Sequence, residues 1–508
     1  MTIARRIALS VFLLGYLVLL LKNTCYFAAG PDSSGYLNEA RMLGRGRVAE
    51  TVPLLAEARL DPSLTYLFTP YGFVRGVEAG TMVPTYPMGT SLHLLAGAWI
   101  GGWAVGPYLV VPIAAVFCLF LTALVARRLG ISNGWSVVAA MLFAASPVLI
   151  AQAVQPVSDV LALLWTLIAI ACALKAEQHW GWAAACGVAF AMGVAVRPTN
   201  ILLIVPLMIA LRKRTFTAVA AAAPFALALM WYANRLYGNP FATGYGDGVV
   251  SLSGVPACLA THAKWLAILA TPLVFPGGLF VAFDRRVNRA LLLSWFGVFF
   301  VFYAYYAFCP DHTAVRFLLP ALPALIIGFV VLASRARIVG AILVIVVLAL
   351  QITQIGRRHV LHLDEWDAIY PRTVQWVDRN VPQDAIVMSA VTSGAFYFHS
   401  KRPVVRWDQL SPETTATLRA NARFARPWYA VVSDVEGGLP ALRARVPGEW
   451  HAVGRIRDVT IYSNSNVTPD SQKSNFVGSD SSLSENTALK NCSHDSPFVD
   501  ESQTSSMV

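Results

Sequence analysis

Asp32, Tyr36, Asp159, Arg197, His312 and Arg316 carry the chemistry that this sequence offers, and each stands at or near the end of an apolar run. Asp32 opens "PDSSGYLNEARMLGRG", directly after "IALSVFLLGYLVLLLKNTCYFAAG". A carboxylate held at a lipid–water boundary is partly desolvated, which makes it a better base toward a hydroxyl nucleophile. The competing role for Asp32 or Ser33 is a helix cap, with Tyr36 and Leu37 on one face of the helix. Asp159 follows "QPVS" and starts "VLALLWTLIAIACAL". It too has a structural role open to it, because an acid favours a helix start. Arg197 in "VRPTN" and Arg316 in "CPDHTAVRF" are cations at a membrane boundary, where an ionisable group points to function. Guanidinium forks hold phosphate through paired hydrogen bonds. The competing role is ion pairing with Asp159 or Asp311. His312 offers a proton carrier or a metal ligand, or else a solvated loop side chain.

The elements that must position these groups are membrane spans. The chain has 508 residues, 56% hydrophobic and 13% charged, with mean hydropathy +0.57. Soluble domains carry about 25% charged residues, so most of this chain belongs in lipid. Its 14 Trp and 17 Tyr suit interfacial belts. The net charge of +11 lies in short clusters between apolar runs, which argues against nucleic acid as a partner. Seven Cys are scattered without CxxC or metal spacing, so no disulfide framework is expected. The first apolar run reads as an uncleaved span, with Lys22 snorkelling to the interface.

Spans are expected at about 7–28, 106–126, 135–152, 158–175, 180–196, 199–211, 216–233, 264–282, 290–308, 315–333 and 338–355. The positive-inside bias puts Arg5/Arg6, Arg127/Arg128, Lys175, "LRKR", "DRRVNR" and "SRAR" in the cytoplasm. Counting 91–103 as a span reverses every later loop, so that stretch is expected to be an interfacial or juxtamembrane helix. A true span with a hidden partner is the alternative. The outer side then collects the long loop 29–105, Asp159, Arg197, "YGNPFATGYGDG" with Asp247, and "CPDHTAVRF". Prolines 320 and 323 are expected to kink the span that follows Arg316.

Residues 1–355 thus read as a multi-span domain. Residues 356–465 read as a small extracytoplasmic α/β domain, with strand patterns at "AIVMSA", "WYAVVSD" and "VTIYSN". The Ser/Asn/Asp-rich stretch 466–508 reads as a disordered tail, with an "NCS" glycosylation pattern at Asn491.

This layout resembles the GT-C superfamily of polyprenyl-phosphate-sugar-dependent membrane glycosyltransferases. It is most similar to the protein mannosyltransferase and aminoarabinose-transferase-like bacterial members. "DSSGY" matches the acidic motif after their first span, with Asp32 and Tyr36. "PTYPMG" matches their tyrosine-proline motif, Asp159 their second outer acid, and "RFLLPALPAL" from Arg316 their "RY-x-LP-x-x-P" segment. The resemblance covers about 5–355. It implies a polytopic helical fold of about eleven spans in a bacterial inner membrane, with a cytoplasmic N-terminus. It implies transfer of a sugar from a polyprenyl-phosphate donor to a hydroxyl of a lipid, glycan or protein acceptor, outside the cytoplasm. Asp32 and Asp159 would be catalytic; Arg197, Arg316, Tyr36 and His312 would bind the donor. Ser33 stands where many relatives carry a second acid, which argues against a divalent metal, and no metal ligand is assigned. Two rivals remain: a transporter or flippase of a lipid-linked saccharide, and a non-enzymatic envelope-assembly component. The first predicts charges near the midplane and two similar halves. The second survives if Asp32 is only a cap.

Overall fold

A chain dissolved in lipid must satisfy its backbone N–H and C=O groups internally, so its apolar runs fold as helices. The computed structural model describes residues 3–246, 252–306, 309, 311–400 and 402–464. Asp247, the tail from 466 and Asn491 lie outside the described residues. Helices Met88–Arg128, Arg337–Arg357 and the runs Pro198–Tyr237 and His312–Ala333 are long and apolar enough to cross a membrane. Shorter apolar helices are Leu9–Lys22, Asp159–Ala173, Trp180–Val196 and Arg289–Ala304.

Two expected spans are broken rather than straight. In place of 264–282 stand Val255–Leu269 and Val274–Phe283, bent by 104°. The break falls at Thr271, whose φ is 77°, followed by Pro272, which disfavours the helical region for its predecessor. In place of 135–152 stand Asn133–Ala144 and Pro147–Ala153, bent by 63°, with Pro147 starting the second piece.

The Met88–Arg128 run is also two helices. Gly102 has φ 71° and ψ 161°, which no helix interior tolerates. Gly97 and Gly106 are nine residues apart, about 13 Å in a continuous helix, yet their backbones touch. The chain therefore folds back on itself at Gly102. The stretch around 91–103 is a separate arm leading into the next helix.

Residues of the basic clusters meet in two groups. Arg128 donates to the Ala171 carbonyl, and Arg128 and Lys175 both lie over Trp182. Arg212 pairs with Glu177 at 3.1 Å. Buried Asp284 holds Arg286 at 2.7 Å and Arg335 at 3.0 Å. These groups stand at one end of the helices Asp159–Ala173, Trp180–Val196 and Leu322–Ala333. Asp159, Arg197 and Arg316 stand at or beyond the opposite ends.

Pro320 lies in a 3₁₀ helix, His312–Ala321, and Pro323 stands at the start of Leu322–Ala333. The expected kink is thus a change of helix type. The Pro320 carbonyl accepts a hydrogen bond from buried Trp295 Nε1 at 3.0 Å, so this buried acceptor is satisfied.

The chain divides into two compact units. One contains Met1–Phe27, Gly35–Ala49 and Pro84–Asp367. The other contains Ala28–Ser34, Glu50–Val83 and the chain from Ala368 onward. In the second, five strands run in the order Val404–Val405, Ile386–Ser389, Trp428–Ser433, Val459–Ser463, His451–Ile456. Ile386–Ser389 is parallel to both neighbours, and the last two strands form an antiparallel hairpin. Arg406 N donates to the Leu67 carbonyl at 2.7 Å and Arg423 pairs with Glu57 at 2.7 Å, tying the 50–83 segment to this sheet's connections.

Candidate functional site

Pro198 dictates where Arg197 points. The residue before a proline is pushed out of the helical region, and Arg197 is extended, with φ −148° and ψ 114°, ending Trp180–Val196. Its Nη1 meets Asp159 Oδ1 at 2.6 Å. Asp159 is the first residue of Asp159–Ala173, with its side chain 2% exposed against 12% for Arg197. The competing pairing noted for Arg197 is thus realised. Arg197 lies 5.4 Å from the centroid of Phe317, and Arg316 lies 5.2 Å from the same ring. Tyr303 stacks on Phe317 at 5.2 Å and donates from Oη to Thr199 at 2.8 Å. The two sequence-singled arginines therefore converge on one aromatic ring, and one of them is anchored by a buried acid.

Asp32 lies inside the first turn of Pro31–Gly44, so the position before the helix belongs to Gly30 and Asp32 is not its N-cap. Ser33 Oγ accepts from Ala29 N at 3.3 Å, so Ser33 bonds backward from within the first turn. Tyr36 follows Asp32 by one turn. Its ring packs on Tyr86 at 4.6 Å, and Tyr86 on Tyr245 at 6.0 Å. Tyr36 and Tyr245 also lie close enough to Arg197 to interact with its charge. The tyrosine of "PTYPMG" thus joins the tyrosine of "DSSGY".

His312 has a different setting. Asp311 caps the 3₁₀ helix by accepting from Thr313 N at 2.8 Å, and His312 Nδ1 lies 3.5 Å from Asp311. The bond from His312 holds the Asp311 carboxyl well below the usual range. The His312 ring packs against Trp265 at 5.3 Å, and Arg358 lies over that indole at 4.7 Å. Among the described residues, no group of three His, Cys, Asp or Glu is placed to hold a metal ion.

Two features escaped the sequence reading. Cys258 and Cys309 form a disulfide, with Cα atoms 5.7 Å apart, correcting the expectation drawn from scattered cysteines. A separation of 51 residues carries no local signal. The bond ties Val255–Leu269 to the chain entering the Asp311–Arg316 segment. Peptide mapping of protein denatured and alkylated without reductant should recover a Cys258–Cys309 crosslink and alkylated Cys25, Cys118, Cys172 and Cys186, whose buried thiols react only once the fold is opened. Alkylated Cys258 and Cys309 would contradict the pairing. The second feature is Glu39, wholly buried two turns after Asp32. Asp32, Tyr36 and Glu39 are spaced as one helical face, a signal present in the sequence.

Solved structures share this architecture. ArnT from Cupriavidus metallidurans bound to undecaprenyl phosphate superposes with TM-score 0.59 at 13% identity, over 93% of this chain and all of that one. The fold is the GT-C fold. The apo ArnT structure gives TM-score 0.60 at 14% identity, over 91% of this chain and 98% of the other. The oligosaccharyltransferase AglB of Archaeoglobus fulgidus, in complex with an inhibitory peptide and a dolichol-phosphate, gives 0.51 at 12% identity. That GT-C match covers 92% of this chain and 75% of AglB. No protein-family model matches the chain, and no curated protein matches it.

Proposed function

We propose that this GT-C protein transfers a sugar from a polyprenyl-phosphate-linked donor to an acceptor hydroxyl on the extracytoplasmic side of a bacterial inner membrane. The observation that carries the reading is the convergence of Arg197 and Arg316 on Phe317, at the helix ends opposite the basic clusters. The fold is shared with an ArnT structure bound to undecaprenyl phosphate, a lipid with this kind of head.

The acceptor oxygen attacks the anomeric carbon, and Asp32 takes its proton. The bond between that carbon and the lipid phosphate oxygen breaks, and the phosphate leaves with the electron pair. Arg197 and Arg316 stabilise its growing charge through hydrogen bonds. Asp159 is already engaged by Arg197, so its part is to aim that guanidinium. Tyr36 and Tyr86 give a stacking wall for the sugar, and His312 serves the edge of the donor site. The prenyl tail stays in lipid while its head meets water, which explains a site at helix ends. A transporter reading calls for charges near the midplane, whereas these stand at termini.

Lipid extracts from cells lacking the protein should accumulate a sugar-loaded polyprenyl phosphate and lose one glycan product, both resolved by mass spectrometry. Unchanged lipid and glycan profiles would count against the proposal.

A further inference from the structure

Ser91 Oγ lies 2.6 Å from Glu39 Oε2 and 3.0 Å from the Tyr36 carbonyl oxygen. A hydroxyl has one hydrogen to give. If Ser91 gives it to Glu39, the Tyr36 carbonyl gains nothing from Ser91, and an ionised Glu39 has no proton to offer in return. If Glu39 is protonated, both contacts are satisfied: Glu39 donates to Ser91, and Ser91 donates to Tyr36. The surroundings agree. Glu39 is 0% exposed, and among the described residues the side chains that act on its carboxyl are the uncharged Ser91 and Tyr232. A buried, unpaired carboxylate is costly, so neutral acid is the favoured form. Glu39 Oε1 and Tyr232 Oη are both buried without a well-formed hydrogen bond, while the two side chains are close enough to interact. Tyr232 can therefore serve the remaining oxygen after a small rotation.

We propose that Glu39 works as an uncharged acid and is the positioning residue that fixes the Pro31–Gly44 helix, with Tyr36 and Asp32 on it, against Ser91. The relay runs from Glu39 O–H to Ser91 Oγ, and from Ser91 O–H to the Tyr36 carbonyl. It rests on the glycosyl-transfer reading only for why the register of Asp32 and Tyr36 matters. The titratable groups facing Glu39 from the Thr215–Tyr237 helix are Tyr232 and Tyr237. Ser91, from the Met88–Arg128 run, does not titrate.

Burial pushes the Glu39 carboxyl up to about 8. The folded protein then holds a proton that the unfolded chain releases near pH 4.5. Folding stability therefore falls as pH rises from about 5 to about 8, by about tenfold in the equilibrium constant per unit, and levels off above.

Full-length protein in lipid nanodiscs tests this by thermal unfolding across that pH window, for wild type, Glu39→Gln and Glu39→Ala. Glutamine keeps a donor and cannot ionise. Wild type should lose stability relative to Glu39→Gln as pH rises, and Glu39→Ala should be weaker than Glu39→Gln at every pH. Infrared spectra at pH 6.5 should contain a protonated-carboxyl stretch that Glu39→Gln removes. With undecaprenyl phosphate as probe, Glu39→Gln should bind as wild type does below pH 7, and Glu39→Ala more weakly. A pH-independent gap between wild type and Glu39→Gln, or an infrared band unchanged in that variant, would overturn the proposal. Unfolding and infrared need no undecaprenyl phosphate, so failure of the transfer reading alone leaves both intact.

Discussion

Asp32→Asn is expected to lower sugar transfer by about 10²–10⁴-fold, the usual contribution of a positioned general base. The exchange keeps the shape of the side chain and removes its basicity. Asp32 stands in the first turn of Pro31–Gly44, half-buried, one turn from Tyr36. Losing a first-turn charge costs about 0.3–1 kcal/mol of helix stability, far too little to unfold the protein. Activity and stability should therefore separate. Transfer from a labelled polyprenyl-phosphate sugar should collapse in purified membranes while the unfolding temperature stays within a few degrees of wild type. Full transfer by a normally folded Asp32→Asn protein would remove the base role.

The second large effect is on stability. Arg197→Met keeps the length of the side chain but strands the Asp159 carboxylate, whose side chain is 2% exposed. Breaking a buried pair from one side costs about 3–5 kcal/mol, because the remaining charge has no partner. Asp159→Asn strands the guanidinium in the same way, softened by the adjacent Phe317 ring. The double variant Asp159→Asn/Arg197→Gln buries two neutral amides that can bond to each other. It should regain most of the lost stability in a thermal melt. It should not regain transfer, because the phosphate-facing charge is gone. A double variant no more stable than the worse single one would show that the pair is not an isolated unit. A double variant with wild-type transfer would show that Arg197 takes no part in holding the donor.

The legible parts of this molecule were those written in charge and apolar run length. Each expected apolar run overlaps a helix or a bent helix pair, and residues of the basic clusters meet at Asp284 and at Trp182. Arg197 and Arg316 stood out because each broke that charge pattern. What stayed hidden depended on backbone breaks and long-range meetings. Run length does not distinguish one helix from two, so the turn at Thr271 and the reversal at Gly102 were missed or left open. Gly102 carries no mark of its φ, and Pro272 marks a break after Thr271 without giving its angle. The Cys258–Cys309 bond joins distant segments, and Phe317 became part of the site only because two arginines and Tyr303 converge on it. The spacing of Glu39 from Asp32 and Tyr36 is helical and legible in the sequence, whereas its complete burial depends on the distant Ser91 and Tyr232.

The central claim is that the arginine pair over Phe317 holds a polyprenyl phosphate. Native mass spectrometry of the purified protein with undecaprenyl phosphate, against undecaprenol of the same length, tests it without knowledge of sugar or acceptor. The account predicts that the phosphorylated lipid is retained, that undecaprenol is not, and that Arg316→Met abolishes the difference. Equal retention of the two lipids, or a preference untouched by Arg316→Met, would contradict it.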